Sequence, residues 1–310
     1  MLSIPKKGMS RSISAHNARL DVMCDWIEAS ALFQDEKTLP DTMVMEALID
    51  GEIYENQSYA WERVSSAWAE IRLRQSRVGQ TSPFGVLDHR LVRKGTWRQF
   101  PAYSFCLALG LAPFYPEWAR SFGKDYTEQG ELFEKLTQTS VETLFPGWKV
   151  HPTGWTRTHT QKLRAVVEKI ASMLGETIGR IERWTRRSAN EAGLDLLLYR
   201  PFPDGRVGIP VFLMQCASGA DWETKLHTPH LGTWSKIVEF AATPKKAFAM
   251  PFAMLDDDFP STCNSVDGLT LDRYRLLAPG RENPAWLSRE LRRRIIAWLE
   301  PRIGALLTLE

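Results

Sequence analysis

The sequence predicts a mainly α-helical amino-terminal domain followed by an α/β carboxy-terminal domain. Three observations lead there. With 310 residues, 44% of them hydrophobic, the chain is long enough for two cores of ordinary size. From Ala15 to about Gly123 the pattern reads as helical. After Lys124, helical segments are followed by short, apolar, β-rich runs and a closing helix, as in helices packed on a sheet. The expected boundaries are a flexible arm over 1–15, a helical domain for partner or DNA recognition over 16–124, and the α/β domain over 125–310.

In the first half, NQSYAWERVSSAWAEIRLRQSRVG places Tyr59, Val64, Ala67, Trp68 and Ile71 on one helical face. Arg72, Arg74 and Arg77 follow, and Gly79 is a plausible stop. GQTSPFG reads as a loop, and WRQFPAYSFCLALGLAP as a buried helix bounded by prolines. In the second half, TEQGELFEKLTQTSVETLFPGW and TQKLRAVVEKIASMLGETIGRIERW read as two helices. GLDLLLYRPF and GIPVFLMQCAS read as strands joined by a hairpin-like turn in PDGRV. AFAMPFAML and LTLDRYRLL are further strand candidates. PAWLSRELRRRIIAWLEPRIGALL is a closing helix.

Composition narrows the function classes. A formal charge of +2, from 39 basic and 37 acidic residues, gives no domain-wide cationic field, so nucleic-acid contact must come from local clusters. Cys24, Cys106, Cys216 and Cys263 lie far apart without a CxxC pair, against a zinc ribbon or a disulfide framework and in keeping with a reducing cytoplasm. The basic start MLSIPKKGMSRSIS lacks the apolar run of a secretory signal, and no stretch has the ~20 apolar residues of a membrane span. There is no P-loop.

The chemistry concentrates on two strands. Asp195 opens the first and Gln215 ends the second, twenty positions on. An antiparallel pair turning at Asp204–Gly205 brings them side by side at one end of the sheet. With a carboxylate from the first helix they can hold Mg2+, or Mn2+, which prefers oxygen donors. Asp195 alone also fits a turn cap. Gln215, in so apolar a strand, requires a partner or a function.

These residues carry a family resemblance. GELFEKLTQTSVETLFPGW resembles the first helix of the PD-(D/E)xK nuclease superfamily. EAGLDLLLYRP followed by VFLMQCASG resembles its Mrr-like branch, where a GxD strand precedes one ending in QxK. The resemblance starts at Thr127 and does not reach the amino-terminal half. It implies a three-layer restriction-endonuclease-like fold and metal-dependent cutting of DNA, in a bacterial anti-phage or restriction setting with a sensor or ATPase partner. It makes Asp195, Gln215 and Glu134 (or Glu131) catalytic and metal-binding residues, with Glu191 a further metal ligand. The lysine slot holds Ala217, so either the lysine has moved to Lys225 in a helix opened by SGADWETKL, or the fold is a silent DNA-binding or scaffold subunit.

Other candidates carry bland readings beside the sharp ones. Arg183 and Arg187, spaced i, i+4, suit a phosphate backbone. Arg289, Arg292, Arg293 and Arg294 suit the wet face of a last helix equally well. Lys225 also reads as a surface lysine, His227 and His230 as loop residues, and Asp256, Asp257 and Asp258 as a solvated turn. Trp222 and Trp234 read as packing residues or, less simply, as base-stacking platforms.

Overall fold

The computed structural model describes residues 1–9, 18–122, 126–153, 163–185 and 192–309. The chain divides into two compact units. One comprises Met1–Asp125, Pro251–Met254 and Arg273–Glu310, and the other Tyr126–Met250 and Leu255–Asp272. Among the described residues no helix is long and apolar enough to cross a membrane.

The first unit begins with α1 (Leu20–Phe33), α2 (Asp41–Asp50) and α3 (Gln57–Val78). Asn56 caps α3 by accepting from the backbone N–H groups of Ser58 and Tyr59. The stripe Ala60, Val64, Ala67, Trp68, Ile71 and Val78 is buried at helical spacing. Helix α4 (Pro101–Leu111) is buried at every residue, as its apolar composition requires. A short α5 (Pro116–Ser121) follows. Two expectations fail here. The unit is not almost wholly helical: β1 (Thr38–Pro40), β2 (Phe84–Leu87) and β3 (Arg90–Arg93) form an antiparallel sheet of order β1-β3-β2. Four-residue strands show too little alternation to stand out between long helices. Nor are residues 1–9 a free arm. Leu2 and Met9 are buried, and the Trp26 indole N–H donates to the Leu2 carbonyl at 3.0 Å.

The second unit is built on a mixed five-stranded sheet, β10-β9-β7-β6-β4, made of β4 (Lys149–Pro152), β6 (Leu196–Tyr199), β7 (Val211–Cys216), β9 (Lys245–Ala249) and β10 (Gly268–Leu271). β4, β6 and β7 pair antiparallel, while β7, β9 and β10 pair parallel. A separate two-stranded piece joins β5 (Thr177–Ile178) to β8 (Val238–Glu239). Leu197, Tyr199, Val211 and Leu213 pack with α7 (Leu163–Leu174), with Ile181 of the short α8 (Ile181–Trp184), and with Trp234 and Ile237 of α9 (Leu231–Ile237). Their alternating neighbours Leu196, Leu198 and Met214 turn to the other face, where α6 (Tyr126–Leu144) buries Leu132, Phe133 and Leu136. Helices therefore cover both faces of a mixed sheet.

Several expected elements are shorter or differently joined. β6 and β7 are linked by residues 200–210, not by a tight turn, with Gly205 and Gly208 at positive φ. The second predicted helix stops at Leu174, because Gly175 takes φ +72°. β9 ends before Pro251, which has no N–H for a ladder. The LTLDRYRLL strand ends at Leu271. After α10 (Phe259–Val266) and β10, the residues Arg273–Leu277 form α11, followed by α12 (Pro279–Glu282) and α13 (Arg289–Leu307), capped by Ser288.

The return of α11–α13 to the first unit has a physical cause. Arg273 makes a bidentate pair with Asp25 at 2.8 Å for both nitrogens. Arg74 reaches Asp25 at 2.7 Å, Glu28 at 3.4 Å and Glu70 at 3.3 Å. All five charged groups are buried. Phe105 of α4 meets Trp298 of α13 edge-to-face at 5.0 Å between centroids. The expected domain limits of 125–310 thus assign α11–α13 differently from the contacts.

Candidate active site

Asp195 sits one residue before β6, held by the ladder on both sides. Its N–H donates to the Met214 carbonyl, and its carbonyl accepts from the Thr153 N–H, both at 2.9 Å. The register Leu196↔Met214 carries on to set Asp195 opposite Gln215 with both side chains on one face. The Gln215 Nε2 donates to Asp195 Oδ2 and, at 3.3 Å, to the Cys216 carbonyl. The Cys216 N–H also donates to Asp195 Oδ2, at 2.5 Å. Asp195 is 5% exposed and Gln215 8%, so this is a buried polar pair and not a solvated turn.

The opposite end of the Gln215 amide meets Thr228, whose Oγ1 lies 3.1 Å from Gln215 Oε1 and 2.7 Å from the Lys225 carbonyl. Gly193 makes that approach possible. It takes φ +70°, and a Cβ there would stand 3.0 Å from the Thr228 Cβ and 3.4 Å from Gln215 Oε1. Thr228 is the site residue that sequence reasoning missed, since nothing in HTPH marks a contact made thirteen positions from Gln215.

Glu134 is half-buried on α6, and Glu131 lies one turn earlier. Burial first, then the charges of Asp195 and Glu134, push the Cys216 thiol well above its ordinary range, while the Thr137 hydroxyl pulls the other way. Both carboxylates therefore act on one thiol. They are hard oxygen donors of the kind Mg2+ takes, but Asp195 Oδ2 is already filled by two N–H groups, and the pleat turns Asp195 and Gln215 to the Leu197 and Leu213 face while α6 packs on the other. No group of three or more His, Cys, Asp or Glu able to hold a metal occurs among the described residues. Glu191 and Arg187 lie outside them.

The other candidates are placed as follows. Lys225 ends a single 3-10 turn, Trp222–Lys225, in place of the expected helix, and its Nζ lies 3.6 Å from Asp221. Ala217, in the lysine slot, is fully buried. Lys246 of β9 is a buried lysine, but its Nζ donates to the Leu226 carbonyl at 3.3 Å. Burial lowers its pKa against the pull of Asp267. The Arg183 guanidinium stands 5.2 Å from the Trp184 ring centroid, and Lys236 Nζ stands 3.9 Å from it. Trp234 is wholly buried, its indole N–H donating to Ala192, which ends its base-stacking reading. His230 caps α9 by accepting from the Thr233 N–H. Asp256, Asp257 and Asp258 are exposed ahead of α10. Arg289, Arg292 and Arg293 are exposed on α13, with Arg294 half-buried.

Compared with protein-family models, with curated proteins and with solved structures, the chain matches none.

Proposed function

We propose that the α/β unit is a metal-dependent DNA endonuclease or nickase of the PD-(D/E)xK type. The observation that carries the reading is the buried Asp195–Gln215 pair at the end of an antiparallel strand pair, sharing the neighbour Cys216 with Glu134. Asp195 and Glu134, with the Gln215 oxygen and Glu191, would hold Mg2+ or Mn2+. When bound, such an ion polarises a phosphodiester and supplies hydroxide at neutral pH. Asp195 fixes the position of the charge through its ladder-held backbone. Lys225, if its side chain leaves Asp221, would set a cation beside the phosphate, and Arg183 and Arg187 would hold the DNA backbone. The setting that the resemblance suggests is an anti-phage or restriction system, with a sensor or ATPase partner supplying the trigger.

Plasmid cleavage tests the reading. The protein, alone or with its partner, is expected to nick or cut DNA with Mg2+ or Mn2+ and not with chelator, and Asp195→Ala to abolish cutting. Lys225→Ala is expected to slow cutting ~100- to 1000-fold with DNA binding retained, the usual cost of one transition-state contact. Cutting that is equally fast in Lys225→Ala removes the moved-lysine assignment. A second reading, a silent DNA-binding or scaffold subunit, is favoured by buried Ala217 and by the Lys225–Asp221 pair. It replaces the first if no DNA is cut under any of these conditions.

A further inference from the structure

Positive charge is unevenly divided along the chain. The first unit holds 23 basic and 19 acidic residues, while the second holds 16 and 18. The excess lies in the last segment of the first unit, Arg273–Glu310, which has eight arginines, four glutamates and no lysine. Arg273 is buried on Asp25, but Arg289, Arg292 and Arg293 are exposed at the start of α13. Their i, i+3, i+4 spacing puts them on one helix face, opposite buried Leu291 and Ile295.

The same face continues into neighbouring turns of the first unit. Arg292 Nη2 donates to the Arg98 and Gln99 carbonyls at 3.1 and 3.5 Å, which holds the 3-10 turn Trp97–Gln99 against α13. Arg281 of α12 is exposed, and its Nη1 donates to the Arg77 carbonyl at 3.2 Å. A Cβ on Gly280 would stand 3.2 Å from the Trp286 indole nitrogen, so the chain folds back on α12 just before α13 begins. Carbonyls fix the Arg281 and Arg292 guanidiniums without cancelling their charge. Among the described residues no carboxylate pairs with Arg281, Arg289, Arg292 or Arg293. Glu300 pairs with Arg98, and exposed Glu282 and Glu290 pair with none of the four.

We propose that this arginine face of the first unit is a docking surface for the phosphate backbone of a DNA duplex. Guanidinium forks match phosphate oxygens in pairs, which suits a segment built with arginine and without lysine. Phosphates recur along a duplex, so several fixed cations on one helix face meet several of them at once. Among the described residues no large hydrophobic side chain is exposed between Arg281 and Arg294. The face therefore has nothing to insert into a bilayer and no open ring on which an unpaired base could stack. What remains is contact with the backbone, which positions a duplex without reading its sequence. Such docking needs no metal ion and no cut, so it stands apart from the cleavage reading.

The test is binding of a short fluorescent DNA duplex to the full chain in chelator, with NaCl varied. Replacing Arg289→Ala and Arg293→Ala together leaves the Arg292 carbonyl contacts in place. This variant is expected to lower the slope of log affinity against log salt by about two, one for each lost phosphate contact, and to weaken binding alike for duplexes of unrelated sequence. Adding Arg292→Ala should bring the loss of slope to about three. The same three positions changed to lysine keep their charges and are expected to keep the parent's slope, which separates lost charge from a packing defect in α13. A parent that binds no duplex overturns the surface. So does a double variant with the parent's affinity and slope, or a lysine variant that loses slope as the alanine variants do. Polyglutamate that displaces the duplex at equal charge overturns the assignment to phosphate. Loss of binding through Arg183→Ala, with the α13 variants unaffected, moves the contact to the second unit and overturns this surface while leaving the nuclease reading standing.

Discussion

Asp25 in the first unit and Asp195 in the second are both buried carboxylates at the meeting of three chain segments, yet they are answered differently. Two guanidiniums, Arg74 and Arg273, close on Asp25. At Asp195 Oδ2 the donors include an amide and a backbone N–H. Neutral donors solvate an oxygen without cancelling its charge, whereas guanidiniums do both. The Asp25 cluster also shifts its own carboxyls. Asp25, Glu28 and Glu70 outnumber two arginines, but burial, with repulsion from Asp25 added, raises the Glu28 carboxyl above its ordinary range despite Arg74. Burial also acts to raise Asp25, but Arg273 and Arg74 outweigh it and hold its carboxyl low. A buried carboxylate clamped by two guanidiniums marks architecture.

Three measurements can break this contrast, from the largest effect to the smallest. Asp25→Asn should destabilise the first unit by ~3–5 kcal/mol, because two buried guanidiniums lose a shared counter-charge. Asp195→Asn should cost far less in the same urea titration. Equal losses would mean that Asp195 is also a structural ion. Gly193→Ala should cost ~1–3 kcal/mol from positive φ and the contact with Thr228, read as a lower melting temperature of the α/β unit, and an unchanged melt would show that the Thr228 turn moves freely. The third concerns pH. Asp25, with its carboxyl lowered, contributes stability that is complete above its unfolded value of about 3.9 and is lost as pH falls through the folded value. Glu28, with its carboxyl raised, contributes stability present below its unfolded value of about 4.3 and lost as pH rises through the folded value. Glu28→Gln should therefore remove a decline on the alkaline side and gain about 1 kcal/mol at neutral pH. A loss at neutral pH would show that Glu28 serves as an anion.

What could be read from the sequence follows the range of the interactions. Helices α3, α4 and α6 announce themselves through periodicity and composition within a single segment. The pairing of Asp195 with Gln215 was legible because it needs only two strands and an antiparallel turn, even though the connection proved longer. Arg74 continues the stripe Val64, Ala67, Ile71, but beside Arg72 and Arg77 it reads as one member of a basic helix end. Only Asp25, Glu28 and Glu70 around it explain its burial. Thr228 and Gly193 were illegible as partners for the same reason: their contact depends on a turn passing over the end of a sheet. The small sheet of the first unit was hidden because β1 joins β3 from more than fifty positions away.

Asp25 and Arg273 are separated by 248 residues. A ribosome adding roughly 5–20 residues per second needs about 12–50 s to cover that stretch. During that time Asp25, Glu28 and Glu70 have Arg74 but not Arg273, while the intervening α/β unit can finish folding on its own contacts. The first part of the chain to be made is thus among the last to be completed. A chain that stops before Arg273 leaves Asp25, Glu28 and Glu70 facing Arg74 without their second guanidinium.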